Sequence, residues 1–403
     1  MEFIEKKAGE LYTCSSGLSK SADQFGFGYP FLSYSDIFHN YYVPEELKTL
    51  VNSNEKDRKT CSVERGDVFL TRTSETTEEL GMSCVALKTI DGATFNGFAK
   101  RLRPITDEIV PEYAAYFFRS SYFRGQCMSM ASLITRASLN EGMISRLKIR
   151  FPKEKHDQEC IGNTLMNYDL AIENNNKRIK ILEQMAENLY KEWFVRFRFP
   201  GHEEVEFEGG IPKGWERKKL GEYVDIKRGG SPRPIQDYLS DSGLRWLKIS
   251  DATTIDCPFI FEIKEHILES GLNKTVLLKA GELVLSNSAT PGLPRIICVD
   301  TCIHDGWLYF EKSRFSKEYL YLFFKNEREN IIQLGNGAIF TNLKTEILKE
   351  YKCIIPADDV LKNFQKVILP YFDLIKNIQQ KNQNLINQRD LLLPRLMSGK
   401  LEI

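Results

Sequence analysis

The sequence predicts an α+β chain. Two similar mixed α/β modules, related by a pseudo-twofold axis, are separated by two long helices that pair as an antiparallel coiled coil. Three observations carry this: a long-period internal repeat, strand-like runs interleaved with helical ones in each copy, and a narrow apolar seam at heptad spacing after each copy. The boundaries that follow are 1–152 for the first module, 153–200 for the central helix, 201–356 for the second module and 357–403 for the distal helix.

In the first module, "GYPFLSYSDI" (Gly28–Ile37) parallels "GLRWLKISDA" (Gly243–Ala252) of the second, with Phe31 over Trp246 and Asp36 over Asp251. "VERGDVFLTRTS" (Val63–Ser74) parallels "LKAGELVLSNSA" (Leu278–Ala289) at the same separation, with Gly66 over Gly281. "EYAAYFFRS" resembles "EYLYLFFKN", and "ASLNEGMISRLKIRFP" resembles "TNLKTEILKEYKCIIP". Runs such as "VFLT", "LVLS" and "RIICV", bounded by Gly, Asp and Asn, read as strands. "PEYAAYFFRSSYF" and "SKEYLYLFFKNEREN" have helical periodicity.

After each module comes a long helix. From Asp157 to about Arg196 the seam runs Leu165, Tyr168, Ile172, Ile179, Leu182, Ala186, Leu189 and Trp193, broken by Asn175. From about Asp358 to Leu396 it runs Ile368, Tyr371, Ile375, Ile378, Leu385, Leu392 and Leu396, interrupted by Asn382 and Arg389. A narrow seam suits a partner helix better than a broad sheet, and a buried Asn specifies register at some cost in stability; the alternative is two amphipathic helices, each packed on its own module. Pro370 should kink the distal helix or displace its start, and Pro394 should help end it. A helix of roughly 36 residues is about 54 Å long.

Composition excludes several classes. Lys and Arg number 55 against 55 Asp and Glu, so there is no global basic excess, and any nucleic-acid partner must be held by local patches. No apolar run reaches the roughly 18 residues of a membrane span, and "MEFIEKKAGELYT" lacks the features of a secretory signal. The nine cysteines are scattered singly, which favours a reducing cytoplasm. Cys298, Cys302 and His304 are the nearest thing to a metal set, but they fall in a run that reads as buried strand.

Catalytic motifs are missing. There is no Walker phosphate loop, no strand–GxGxxG fingerprint, no HExxH, no GxSxG and no Asn/Asp-Pro-Pro-Tyr/Phe stretch. "FGFGYP" lacks the third glycine, and Pro232 and Pro234 keep "KRGGSPRP" from opening a helix. The carboxylates of "EEVEFE" and "TTEELG" read as solvated linkers.

Binding loops remain. "CSSGLSK" ends on Lys20, and "IKRGGSPR" carries Lys227, Arg228, Ser231 and Arg233. Such loops offer backbone N–H groups and cations to phosphates. The matched strand ends place Arg72 in "LTRTS" opposite Asn287 and Arg295 in "LSNSATPGLPR", with Lys248 ending "LRWLK". Arginine pairs with guanine and asparagine with adenine in the major groove. A third pair of segments supplies Arg136 in "SLITRAS" and Asn336 and Asn342 in "GNGAIFTN".

"PKGWERKKLGEYVDIKRGGSPR", with "LRWLKISDAT", "AGELVLSNSATPG" and "TNLKTEILKEYKCIIP", resembles the target-recognition domain of type I restriction–modification specificity subunits. "NYDLAIENNNKRIKILEQMAENLYKEWFVRF" and "NLINQRDLLLPRLMSGKLEI" are similar to that family's spacer helices. The resemblance covers essentially the whole chain. It implies a non-catalytic, cytoplasmic subunit that binds double-stranded DNA, each module reading one half of a bipartite site and the helices setting the gap. It also implies two methyltransferase subunits as partners, with two motor-nuclease subunits joining when the complex cuts DNA. S-adenosylmethionine, ATP and Mg2+ would belong to those partners, and this chain would hold no cofactor. Tyr190, Trp193 and Phe194 at the end of the central helix, and Arg395 near the end of the distal one, are the expected partner surface. The Pro-x-Gly-Trp lead-in has no counterpart before the first module. In a circular repeat, "LMSGKLEI" followed by the N-terminal segment takes the place of "RFRFPGHEEVEFEGG". Alternatives from the residues alone are a specificity polypeptide for a fused nuclease–methyltransferase, an orphan DNA-binding regulator, or a scaffold that does not touch DNA.

Overall fold

A computed structural model of the chain describes residues 1–74, 76, 79–130, 132, 133, 137–335 and 342–402. It divides into two compact units, Met1–Glu173 with Gln383–Ile403, and Asn174–Asn382. Each unit therefore owns one module and a stretch of both long helices.

The first unit is built on a four-stranded antiparallel sheet in the order Tyr12–Ser16, Ala99–Pro104, Val68–Thr71, Ser83–Val85. Val68–Thr71 is buried at all four positions, as the unbroken apolar run "VFL" requires of a central strand. A second, smaller sheet pairs Phe25–Leu32 antiparallel with Leu50–Val51 and parallel with Thr94–Phe95. Phe3–Lys7 pairs with Lys148–Pro152.

The second unit repeats this plan. Its main sheet runs Val224–Arg228, Trp307–Ser313, Leu283–Ser286, Pro294–Ile297, with Phe259–Ile260 added at the edge. Leu244–Leu247 pairs antiparallel with Glu265–Ile267 and parallel with Thr301–Ile303. Glu216–Lys219 pairs with Lys352–Ile355. The sequence matches become matched contacts. Asp36 accepts from the Ser33 backbone N–H at 3.0 Å, and Asp251 accepts from that of Lys248 at the same distance, each fixing a helix start. Gly66 and Gly281 both hold positive φ, +90° and +99°, at the turn entering the central strand.

The helices are Lys155–Tyr190, prolonged by a wider turn over Lys191–Val195, and Asp358–Met397. Within each unit the two helical stretches are antiparallel. In the second unit the Asn175 amide donates to Asn382 at 2.7 Å, and Asn382 donates to Asn176 at 2.8 Å, while Trp193 meets Phe364. In the first, Arg389 donates to Asp169 beneath the ring of Tyr41, and Leu165 shares a core with Leu396. The polar interruptions in the seams are thus partnered.

Three expectations change. The distal helix runs through Pro370 and Pro394 as one element, because Ile368 and Phe372 on either side of Pro370 are buried in the module core and hold the backbone in place. The seams are also not reserved for the partner helix. Ile179, Ala186, Ile368 and Ile375 join the second module's core, and Ile161 and Leu165 join the first. Further, "PEYAAYFFRSSYF" forms two helices, Pro111–Phe117 and Ser121–Met130, rather than one.

The lead-in tryptophan has a structural role. Trp215 stacks on Phe199 and packs against Phe194 and Phe197 at the end of the central helix. In the first unit the distal helix end meets the opposite end of the chain: Gly399 lies against the Phe3 ring, and Glu402 is 2.8 Å from the Met1 nitrogen. That is the circular arrangement the repeat implied.

Candidate nucleic-acid interface

Both modules carry the same backbone crossing at the end of the central strand. The residue after that strand is Arg72 in one and Asn287 in the other. Its N–H donates to a turn carbonyl, Phe98 at 3.1 Å or Gly306 at 2.8 Å. Its own carbonyl accepts from the third segment, Leu139 N–H at 2.9 Å or Leu343 N–H at 2.8 Å. The first loop reaches the same turn through a glycine. A Cβ on Gly17 would come within 2.3 Å of the Asn96 carbonyl oxygen, and one on Gly229 would come equally close to that of His304. The glycines of these loops are therefore needed for close backbone approach, not for cradling a nucleotide. Three loops predicted separately meet at one place in each module, and a fourth joins them: the turn Asn96–Gly97–Phe98, or His304–Asp305–Gly306.

In the second module this place is a cleft of about 810 Å³, lined among others by Ser231, Arg233, Trp246, Lys248, Ala289 and His304. Asp305 organises its rim. Its carboxylate accepts from the Ser231 hydroxyl at 2.7 Å and from Arg233 at 3.0 Å, and its carbonyl accepts from Asn287 Nδ2 at 3.0 Å and from Arg228. Burial opposes ionisation of Asp305, but the Ser231 hydrogen bond, with Arg228, Arg233 and His304, outweighs it and holds the carboxyl below the usual carboxylate range. Lys248 is paired with Glu265. The Asn287 side chain is 3% exposed and its Oδ1 has no hydrogen-bond partner.

The remaining predicted residues fall in several places. Lys227 lies on strand Val224–Arg228, paired with Glu311 and outside the cleft lining. Lys20 is paired with Asp57 at 2.9 Å, on the loop that reaches the Asn96 turn. Arg72 has its Nε buried without a partner, beside Phe98, which is 57% exposed. Asn342 is exposed next to Leu343. Arg136 and Asn336 lie outside the described residues.

Arg295 is not at the surface: it is 8% exposed and donates to the carbonyls of Ala252, Ile255 and Pro294, capping the C-terminal end of helix Ile249–Thr253. Tyr190, Trp193 and Phe194 are likewise core residues, 4–6% exposed and packed on Phe364, so these rings are spent on holding the helix to its module. Arg395 is exposed. Asp305 was missed because nothing in "CIHDGW" marks a carboxylate that will sit beneath two arginines far away in sequence. The signal that could have found it is the alignment of its turn with Asn96–Phe98.

Cys302 is buried in its strand, and among the described residues no group of His, Cys, Asp and Glu could hold a metal. Nor, among them, is any helix long and apolar enough to cross a membrane.

Comparison with known proteins bears on this geometry. The chain is 25% identical over 410 residues to the type I restriction enzyme MjaIX specificity subunit of Methanocaldococcus jannaschii, covering 99% of this chain and 92% of that one. It is 22% identical over 448 residues to the HindI specificity subunit of Haemophilus influenzae, covering 92% and 94%. The crystal structure of a type I restriction–modification S subunit from M. genitalium shares the fold, with a TM-score of 0.61 at 13% identity, over 98% of this chain and 96% of that one. Residues 3–184 and 212–388 match the type I restriction modification DNA specificity domain, one copy for each module with much of the helix that follows it. The chain therefore belongs to the type I restriction–modification specificity family.

Proposed function

We propose that the chain is the DNA-reading subunit of a type I restriction–modification complex, with the first module reading one half of a bipartite site and the second module the other. The observation that carries this is the backbone crossing repeated at Arg72 and Asn287. One scaffold presents four loops twice, with the hydrogen bonds of the crossing kept and the side chains changed. That is what two readers of different sequences on a common frame require. Phosphates are met by the loop cations, and base edges by the side chains that the loops gathered at the crossing expose.

The chain's zero net charge is compatible with this role. Arg233, Lys227 and Lys248 are each held by a carboxylate, and exposed pairs of this kind are worth only about 0–1 kcal/mol. DNA phosphates replace those carboxylates at little cost.

The chain brings no catalytic group. Adenine methylation comes from two methyltransferase subunits holding S-adenosylmethionine, and cleavage from motor-nuclease subunits using ATP and Mg2+. The methyltransferases dock on the outward faces of the long helices, where Ile181, Met185, Leu374 and Leu391 remain 60%, 46%, 41% and 64% exposed. Arg395 contributes at the distal end. The same helices act as the ruler that sets the gap.

Salt-dependent binding tests the reading. The chain with its methyltransferase partners should bind duplex DNA with an affinity that falls linearly in log–log form as salt rises, with the slope reduced by about 1 for each loop cation removed. A flat salt response would reject DNA as the ligand.

A further inference from the structure

We infer that His304 is a specificity-determining residue of the second module, and that it reads a thymine in that module's half-site. The inference rests on the DNA-reading role proposed above.

Three observations lead there. The first is the tautomer. The Gly306 backbone N–H donates to His304 Nδ1 at 2.8 Å, so Nδ1 must carry a lone pair and the proton of the neutral ring is on Nε2. The Asp305 carboxylate is 4.0 Å from Nδ1, too far to compete as a hydrogen-bond partner. Burial also holds the imidazole below its ordinary pKa, which keeps it neutral at neutral pH. His304 therefore offers a single fixed donor, Nε2–H, and among the described residues no group accepts from it.

The second is the setting. The ring is flanked by Trp246 and Trp307 at 5.9 and 6.3 Å and lines the cleft together with Ile249, Ala289 and Pro232. Ala289 is held in the left-handed region at φ 56°, which sets this part of the wall. The cations on the same lining are already engaged, Arg233 with Asp305 and Lys248 with Glu265, so beside the apolar rings the unengaged feature is this one donor, which is a specific chemical demand. Thymine meets it, with O4 as acceptor and the C5-methyl group beside it. Guanine has no methyl group and offers two acceptors that call for a bidentate cation. Adenine offers its N7 acceptor with an amino donor beside it in place of a methyl group, and cytosine presents an amino donor that would face the Nε2–H.

The third is position. His304 occupies the turn whose counterpart is Asn96 in the first module, where the chemistry differs while the crossing hydrogen bonds are kept. A turn that varies on a constant frame is where a recognition residue belongs.

The test uses the full chain assembled with its methyltransferase partners. Duplexes are first selected from a random pool, and the second half-site is then resynthesised with thymine, uracil or cytosine at each position in turn. The wild-type complex should discriminate thymine from cytosine at one position by about tenfold or more. Uracil there, lacking only the methyl group, should cost about fourfold. His304→Ala should abolish discrimination at that position alone, and His304→Gln, which retains a donor, should recover part of it. Undiminished reading of the first half-site by the variants shows that the chain is folded. A half-site in which no thymine responds to His304→Ala overturns the inference while leaving the DNA-reading role intact. Failure of the wild-type complex to select any sequence overturns both.

Discussion

At the second module's crossing, the cations depend on one carboxylate. Asp305 holds Ser231 and Arg233 through its side chain and Asn287 and Arg228 through its carbonyl, so four residues from two segments share one anchor. Asp305→Ala should free Arg228 and Arg233 from their acid and remove a negative charge from the DNA-facing rim. Non-specific DNA affinity should then rise a few-fold, on the scale of about 1 kcal/mol for exposed pairs. Discrimination in the second half-site should fall, both being read in one competition titration against random duplex. Because the folded state lowers the Asp305 pKa, this anchor contributes fully above the ordinary carboxylate value of 3.8 and is lost as pH falls through the lowered one. The wild-type loop should therefore stay closed from neutral pH down to about 4 and open below it, as a carboxyl titration by NMR would record. The sequence made the arginines and Asn287 visible as candidates, since their residue types carry the chemistry. It did not show that Arg295 is consumed by three backbone carbonyls or that Asp305 gathers the others. Both facts depend on tertiary placement that spacing along the chain does not encode.

Among the elements, the long helices were the most legible and the most misread. Their extents follow from the apolar period. So does the polar break at Asn175, which meets Asn382 with both residues about 5% exposed. A buried amide pair fixes register because a shifted alignment leaves each amide without its partner. Asn382→Leu alone should cost about 1–3 kcal/mol, since Asn175 and Asn176 both lose a hydrogen-bond partner. Replacing Asn175, Asn176 and Asn382 together by Leu should recover most of that loss in thermal denaturation. It should also broaden the set of cysteine pairs that cross-link between the two helices. The seams serve both ends that their pattern allows, pairing with the other helix and packing on the modules. A heptad pattern identifies which residues are buried but not what buries them, and here Ile368 and Ile375 face a sheet-built core as well as a helix. At Pro370 the loss of a hydrogen bond does not interrupt the helix, because Ile368 and Phe372 on either side are packed in the core, and the helix ends at Met397 soon after Pro394.

For the whole molecule, the decisive property is duplication. The repeat was readable from four short matches, and the strand order and the capping carboxylates Asp36 and Asp251 reproduce it in detail. Two expected consequences concern the ligand. Deleting seven residues from each long helix at matched positions removes about 10.5 Å of helix and should shorten the preferred gap by about 3 base pairs. An unchanged gap would reject the helices as a ruler. The account's central claim, that each module reads its own half-site, is tested most directly by mapping methylated adenines across the genome of a host expressing the chain with its methyltransferase partners. The wild type should yield one bipartite motif, Arg72→Ala should relax only one half of it, and Arg233→Ala only the other. A continuous motif, or a single substitution that alters both halves, would contradict it.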